Sequence, residues 1–374
     1  MNQSDKCSDV RFMRIALELA KRGLGRVAPN PAVGCVLTQN NQVIARGWTQ
    51  DGGRPHAETE ALDRAGNRAA GSTAYVTLEP CAHTGETGPC AAALINAGIK
   101  KVVVAMLDPD PRVNGGGIKL MQDAGLEVLS GVCQEQAMRV NSGFLSRVET
   151  GLPLVTLKIA SSLDGCISTK IGQSQWITGT EARAVGHFLR SQNDAILIGS
   201  GTALKDNPTL TCRLKGLEGT SPIRVVLDGK LRIPPTHKLV QTAKELPVIF
   251  FTSTNALLKK KEHVLVLQRS GVRIIAVNED GEGNLMIVEF LRALGDEGVT
   301  RLLVEGGASV ATSLLSQKWV DHIFWFRSAS IIGGDGTPAI RGFGIDNLSN
   351  SVAFSRASFR QVGNDVIEGL ERRR

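Results

Sequence analysis

Aromatic residues make up only 4% of the 374-residue sequence, and Tyr occurs once. That scarcity leaves few platforms on which unpaired bases would stack, and no Lys and Arg stripe interleaves with aromatics, so nucleic acid is not the expected partner. Long apolar runs are missing too: none reaches the roughly 20 residues that span a bilayer. The stretch from Met1 to Asp9 is polar and mixed in charge and lacks the apolar core of a signal peptide. We therefore expect a cytoplasmic protein without membrane contact. Cysteine is present seven times, an odd number scattered through a chain with no export signal, which argues against a disulfide framework. A Gly-x-Gly-x-x-Gly fingerprint is absent as well, because Gly199-Ser200-Gly201-Thr202-Ala203-Leu204 lacks the third glycine.

What is there bounds the organisation. A chain of this length exceeds one ordinary domain, and 42% hydrophobic residues suffice for real cores. Positive charge is uneven. Residues 1–150 hold 16 Lys+Arg against 15 Asp+Glu, whereas residues 151–374 hold 27 against 21, so most of the net +7 lies in the second part. A basic balance of this kind suits phosphorylated small molecules.

The most informative stretch runs from His56 to Cys90. It contains His56-Ala57-Glu58 and, after a predicted strand over residues 73–79, Pro80-Cys81-Ala82-His83-Thr84-Gly85-Glu86-Thr87-Gly88-Pro89-Cys90. One imidazole and two thiolates, His56, Cys81 and Cys90, give three protein ligands, the number that leaves a tetrahedral zinc an open position for an acidified water. Glu58, two residues from the ligand His, is the non-ligating carboxylate that would move the water's proton to a leaving amine. Residues i and i+2 point to different sides of a regular helix, so His56 and Glu58 can share a site only where a helix begins. Cys90 likewise falls at the start of a helical run over residues 91–97, where a thiol ionises more readily. His83 is expected to shape the loop rather than to bind metal.

Along the chain, apolar spacing predicts a helix over residues 9–22 with Ser8 or Asp9 as its N-cap, then a hairpin from 32–37 and 43–48. Asn30 lies just before it and is a candidate substrate contact. Strands at 101–107 and 126–131, helices at 118–124 and 134–147, and a boundary at residues 149–153 complete a first domain, 1–150. In the second, 151–374, strands are expected at 154–160, 195–198, 223–227, 248–251, 272–277, 301–304 and 322–326, with helices near 180–192, 284–294 and 308–316. Strands alternating with helices imply α/β domains with largely parallel sheets, whose sites gather at strand ends and helix starts. Strand 301–304 passes through Glu305-Gly306-Gly307 straight into a helix, which offers free backbone N–H groups to an anion.

Both parts resemble one family. Residues 56–58 and 79–90 are similar to the His-Ala-Glu and Glu-Pro-Cys-x-His-x-Gly-x-Thr-x-Pro-Cys pattern of the bacterial bifunctional riboflavin-biosynthesis deaminase/reductases. The eight residues between Cys81 and Cys90 differ from the Pro-Cys-x-x-Cys of the wider deaminase signature. Lys158-x-Ala160-x-Ser-Leu-Asp-Gly, Ser174-Gln-Trp176-Ile-Thr, Gly201-Thr202-x-Leu-x-Asp206, Pro-x-Leu210-Thr-x-Arg213 and Glu305-Gly-Gly look like the reductase half. The resemblance implies a cytidine-deaminase-like three-layer domain followed by a dihydrofolate-reductase-like domain. It implies zinc in the first and NADPH in the second, held by Ala160, Trp176, Thr202, Asp206, Gly229 and Gly307, Ala308, Ser309, Val310, Ala311, Thr312 and Ser313. Ser174, Arg190, Leu210, Arg213 and Glu305 would face a phosphoribosylated pyrimidine, with forked arginine donors for its phosphate. Lys158 would polarise the ribose carbonyl or carry its proton. The family forms homodimers or homotetramers. Cys166, Asn207 and Arg327-Ser328-Ala329-Ser330 depart from its usual residues.

The expected function is therefore hydrolytic deamination at zinc followed by NADPH-dependent reduction of the ribose. Two alternatives stand beside it: a nucleic-acid deaminase with a basic accessory domain, and a zinc-stabilised nucleotide sensor without turnover.

Overall fold

The computed structural model describes residues 3–82, 88–110 and 114–373, with backbone alone for residues 3–6; His83 lies outside the described residues. The chain divides into two compact units, Met1–Leu152 and Pro153–Arg374. Among the described residues no helix is long and apolar enough to cross a membrane.

The first unit runs α1 (Gln3–Ala20), β1 (Gly34–Gln39), β2 (Gln42–Trp48), α2 (Ala57–Ala65), β3 (Thr73–Val76), α3 (Cys90–Asn96), β4 (Lys101–Val104), α4 (Gly116–Asp123), β5 (Glu127–Ser130), α5 (Gln134–Val140) and α6 (Ser142–Thr150). Its sheet has the order β2-β1-β3-β4-β5. The pairs β1–β2 and β1–β3 are antiparallel and β3–β4 and β4–β5 parallel, so this sheet is mixed rather than largely parallel. Helix α1 starts before the expected Ser8 or Asp9 cap. Asp9 is instead buried within it, accepting from the Tyr75 hydroxyl at 2.8 Å with Lys101 Nζ 3.3 Å away, so its partners come from the sheet and not from its own helix end. The helix expected over 134–147 breaks at Asn141. That side chain accepts from the Ala32 amide at 2.9 Å and donates to the Ala32 carbonyl at 3.1 Å, a pairing that outweighs helix continuity and ties α6 to the segment after Asn30.

Packing fixes where the site elements lie. Helix α2 sits so close on β2 that a Cβ at Gly47 would stand 2.1 Å from the Ala57 carbonyl oxygen; only glycine permits this seat. Glu79, buried after β3, accepts from the amides of Asp108, Gly115, Gly117 and Ile118 at 2.9–3.3 Å. It thereby satisfies the otherwise orphaned N–H groups at the start of α4 and anchors the chain next to Cys81.

The second unit runs β6 (Leu154–Ser161), β7 (Cys166–Ser168), α7 (Thr180–Ser191), β8 (Ala195–Gly199), α8 (Ser200–Asp206), β9 (Ile223–Leu227), α9 (Lys238–Gln241), β10 (Val248–Ser253), α10 (Thr254–Lys259), α11 (Lys261–Arg269), β11 (Arg273–Val277), α12 (Ile287–Asp296), β12 (Arg301–Val304), α13 (Ala308–Ser316), β13 (His322–Arg327), β14 (Thr337–Pro338), β15 (Phe354–Val362) and β16 (Asp365–Arg372). Its main sheet, β11-β10-β9-β8-β12-β6-β13-β16-β15, is parallel from β11 to β13 and antiparallel from there on. From β8 the chain proceeds outward through β9, β10 and β11, whereas β12 returns between β8 and β6. A crevice at the carboxyl ends of β6, β8 and β12 is the place where such sheets take ligands.

Candidate functional site

In the first unit His56 is the residue before α2, with extended backbone (φ −69°, ψ 160°), and Glu58 is in that helix's first turn. The turn is loose enough there for both to face one point. Pro89 precedes α3 and Cys90 opens it. His56 Nδ1 lies 3.2 Å from Cys90 Sγ and 3.9 Å from Cys81 Sγ, and all three donor atoms fall within 4.8 Å of one another. Donors bonded at 2.0–2.3 Å to a tetrahedral zinc stand about 3.6–3.8 Å apart, so the spacing fits that ion. The backbone amide of Cys90 donates to Cys81 Sγ at 3.3 Å.

The electrostatics are those of a site organised around charge. A hydrogen bond from the Cys90 thiol brings Cys81 down to about 4, a thiolate at neutral pH. Its partner Cys90 is pushed up by that hydrogen bond and by burial, because two adjacent thiols without a cation cannot both ionise. His56 is raised by its hydrogen bond to Cys81. Glu58, 3% exposed, is pushed up by burial to about 7, which suits a group that must both take and give a proton near neutrality.

A cavity of about 250 Å³ opens onto these groups, lined by Asn30, His56, Glu58 and Cys81 together with Thr49, Arg54, Asp108, Asp110, Phe144 and Arg147. The sequence reading missed the latter six. They arrive from loops and from α6 through contacts such as Asn141 with Ala32, and no local pattern marks them.

In the second unit a cavity of about 370 Å³ occupies the crevice. Lys158, Ala160, Ser174, Thr202, Asp206, Glu305, Gly307, Ala308, Ser309, Val310 and Ala311 line it. Gly199 and Gly306 line it too, as do Lys205, Thr337 and Arg341, which were not singled out from the sequence. Helix α13 has no side-chain cap at Gly307. A Cβ at Gly306 would stand 3.0 Å from Val310, and one at Gly307 3.1 Å from Thr202 Oγ1, so the turn is a tight backbone cradle at a helix N-terminus and fits a dinucleotide's phosphates.

Other expected residues lie off this wall. Trp176 is 66% exposed, its indole facing the Arg183 guanidinium at 4.5 Å. Gly229 follows β9 and accepts from the Ser253 amide. Leu210 is buried in the core, and Ser313 lies further along α13. Arg213 is exposed and donates to Thr209 Oγ1. The Thr312 hydroxyl accepts from the Arg341 amide at 2.8 Å. Arg190 departs furthest from expectation. Its Nε and Nη2 donate to Glu305 Oε1 and Oε2 at 2.8 and 2.9 Å, and Nη1 donates to the Thr211 carbonyl at 2.9 Å. A guanidinium this buried pairs with the carboxylate beside it, so its fork is turned to Glu305 rather than opened to a phosphate. Lys158 Nζ stands 3.9 Å from the same carboxylate, its ammonium held below the usual lysine range by burial.

Burial raises the Glu305 carboxyl, but the Arg190 and Lys158 charges more than reverse this and bring it to about 2. A carboxyl depressed on folding contributes stability above its ordinary value of 4.5, and that stability is lost as pH falls through its folded value. The second unit should therefore lose up to about 3 kcal/mol between pH 4.5 and 2. Urea unfolding across that range checks this: Glu305→Gln should lack the slope, and an unchanged slope would remove the pairing as its source.

A cluster of His and two Cys beside a buried, non-ligating carboxylate defines the first unit as a cytidine-deaminase-like domain, and the parallel sheet with its phosphate cradle places the second among dihydrofolate-reductase-like domains. Residues 6–106 match the model of the cytidine and deoxycytidylate deaminase zinc-binding region, and residues 153–367 that of the RibD C-terminal domain. The riboflavin biosynthesis protein RibD of Aquifex aeolicus is 38% identical over 359 residues, 96% of this chain and 97% of the relative. RibD of Acinetobacter baumannii has a solved structure that superposes with a TM-score of 0.88 at 34% identity, covering 99% of this chain and all of that one. A diaminohydroxyphosphoribosylaminopyrimidine deaminase/5-amino-6-(5-phosphoribosylamino)uracil reductase of Thermotoga maritima does so with 0.86 at 35%, over the same shares. The chain belongs to the RibD family of riboflavin biosynthesis proteins.

Proposed function

We propose that residues 1–150 hydrolytically deaminate 2,5-diamino-6-(5-phosphoribosylamino)pyrimidin-4(3H)-one. Residues 151–374 then reduce the ribosyl side chain to 5-amino-6-(5-phosphoribitylamino)uracil. The chain is a bifunctional deaminase and reductase of riboflavin biosynthesis, with a zinc-binding deaminase domain and an NADPH-using reductase domain. The observation that carries the first role is the convergence of His56, Cys81 and Cys90 beside Glu58 on one cavity.

Held by those three side chains, zinc supplies Lewis acidity that brings the ionisation of water near to neutrality. Glu58 accepts a proton from the attacking water and passes it to the adjacent ring nitrogen, then carries the remaining hydroxyl proton to the amine, so that the oxygen stays as the ring carbonyl and ammonia leaves. Asn30, on the wall of the same cavity, orients the ring. In the second unit bound NADPH would supply hydride chemistry for the ribose carbonyl. The cradle at Gly307, Ala308 and Ser309, with Thr202, Ala160 and Asp206, holds the dinucleotide. Trp176, Gly229 and the rest of the α13 turn, Val310 to Ser313, complete the contact. Lys158 gives a proton to the ribose oxygen, and Glu305, paired with Arg190, keeps that lysine charged and aimed. Ser174 and Arg213 face the phosphoribosyl substrate, and Leu210 belongs to the core. The protein works in the cytoplasm as a homodimer or homotetramer.

Incubation with the diaminopyrimidine ribotide, read by mass spectrometry of the small molecules, tests both roles. Replacement of the amine by a carbonyl oxygen without NADPH, and a further gain of two hydrogens with it, is expected. Deamination without reduction would remove the second role, and no change in a zinc-loaded sample would remove both.

A further inference from the structure

The segment after β13, residues 328–341, forms part of the wall of the second cavity through Thr337, Ala339 and Arg341. Burial alone does not hold it there. Ile331 is 74% exposed, and Ser330, Asp335 and Arg341 also face solvent. It is fastened by polar contacts to the turn that follows β6. Asp164 accepts with one carboxylate oxygen from the Ser162 hydroxyl and the Ile332 amide (3.2 Å), and with the other from the Gly333 amide (2.7 Å). Around it, the Leu163 amide donates to the Ser330 carbonyl at 2.7 Å and the Ala339 amide to the Gly165 carbonyl at 2.9 Å. Strand β14 pairs with β7, whose Ile167 and Ser168 also line the cavity. The far end is tied to α13 by the Arg341 amide on Thr312 Oγ1.

We propose that Asp164 is a positioning residue for the reductase: it latches the 328–341 strap so that Thr337, Ala339 and Arg341 stand as a preformed wall for the dinucleotide. The proposal rests on the assignment of the second cavity to NADPH. A carboxylate that accepts two successive backbone amides fixes the strap's path as no neutral side chain of its size does. The Ser162 hydroxyl, then the Gly333 and Ile332 amides, hold its carboxyl at about 2, so the latch stays charged throughout the neutral range. Preorganisation of this kind acts on binding: a strap that must be ordered by the cofactor raises its dissociation constant and leaves the hydride step intact once it is bound. Thr312, on this reading, serves the cofactor through the strap.

The test uses the full-length protein as wild type, Asp164→Ala and Asp164→Asn, each titrated with NADPH and assayed for reduction over a range of NADPH. Asp164→Ala should raise the NADPH KM and dissociation constant about tenfold and leave kcat at saturating NADPH within about twofold. Asp164→Asn, which keeps one acceptor oxygen, should fall between. Melting of the second unit at the wild-type temperature reports that Asp164→Ala is folded, and deamination, which belongs to the first unit, should not change. Unchanged NADPH affinity in Asp164→Ala, or a fall in kcat that extra NADPH does not restore, overturns the latch. A wild-type protein that fails to bind NADPH would instead overturn the assignment of the cavity.

Discussion

Glu58→Gln is expected to lower ammonia release by about 10²- to 10⁴-fold while the protein keeps its zinc and its reductase activity. The carboxyl is 3% exposed, sits in the first turn of α2, and is not one of the three clustered metal donors, though it touches Cys90. An amide of the same shape preserves the packing and can neither take nor give the proton, so the effect isolates proton transfer from metal binding. Burial that raises this carboxyl to about 7 also has a thermodynamic cost. A carboxyl raised on folding binds its proton more tightly in the native state, so it destabilises the fold increasingly as pH rises from 4.5 to about 7 and by a constant amount above that. Metal-free Glu58→Gln should therefore outlast metal-free wild type at pH 8 and lose that advantage below pH 4.5. A coupled ammonia assay, elemental analysis and melting at the two pH values check all three statements. A zinc-replete variant that deaminates normally would remove Glu58 from the reaction.

The site was legible in the sequence to the extent that its residues lie close together along the chain. His56 and Glu58 share one helix start, and Cys81 and Cys90 are nine positions apart in the sequence, so short-range spacing carries the geometry. Phe144 and Arg147 lie on α6, which Asn141 ties to the segment at Ala32 across 109 residues of sequence, and Asp108 is held by Glu79 across 29. No periodicity encodes that. In the second unit the central parallel strands were readable because they are buried on both faces and so appear as apolar runs, such as Ala195–Gly199 and the start of Val248–Ser253. The terminal hairpin was not. Strand β15 is exposed along nearly its whole length and β16 carries Glu368 facing Arg327 and Arg356, so neither shows an apolar alternation. Resemblance to the family pointed to cofactor residues that spacing could not mark and to Arg190 as a phosphate contact; the Arg190 fork pairs with Glu305.

Removing a thiolate should have the other large effect. Cys81→Ala leaves a His and one Cys, too few for a three-ligand site, so zinc is expected to be lost along with deamination, by at least about 10³-fold. The loss should not spread to reduction, because the two units are separately compact and the second cavity is lined wholly by residues of Pro153–Arg374. Chelation of wild type should mimic the variant, with one difference: added zinc restores the wild type and leaves Cys81→Ala inactive. The same argument applies to Cys90, whose backbone amide also donates to Cys81 Sγ. Replacing Cys90 with Ser keeps the start of α3 and its amide in place but offers a hydroxyl that does not ionise as a thiol does, so it too should lose zinc. Elemental analysis beside the two activity assays decides between the possibilities. Zinc retained in Cys81→Ala at the wild-type level would mean that the ligand set is not His56, Cys81 and Cys90. A parallel fall in reduction would mean that the metal site supports the fold of the whole chain and not the first unit alone.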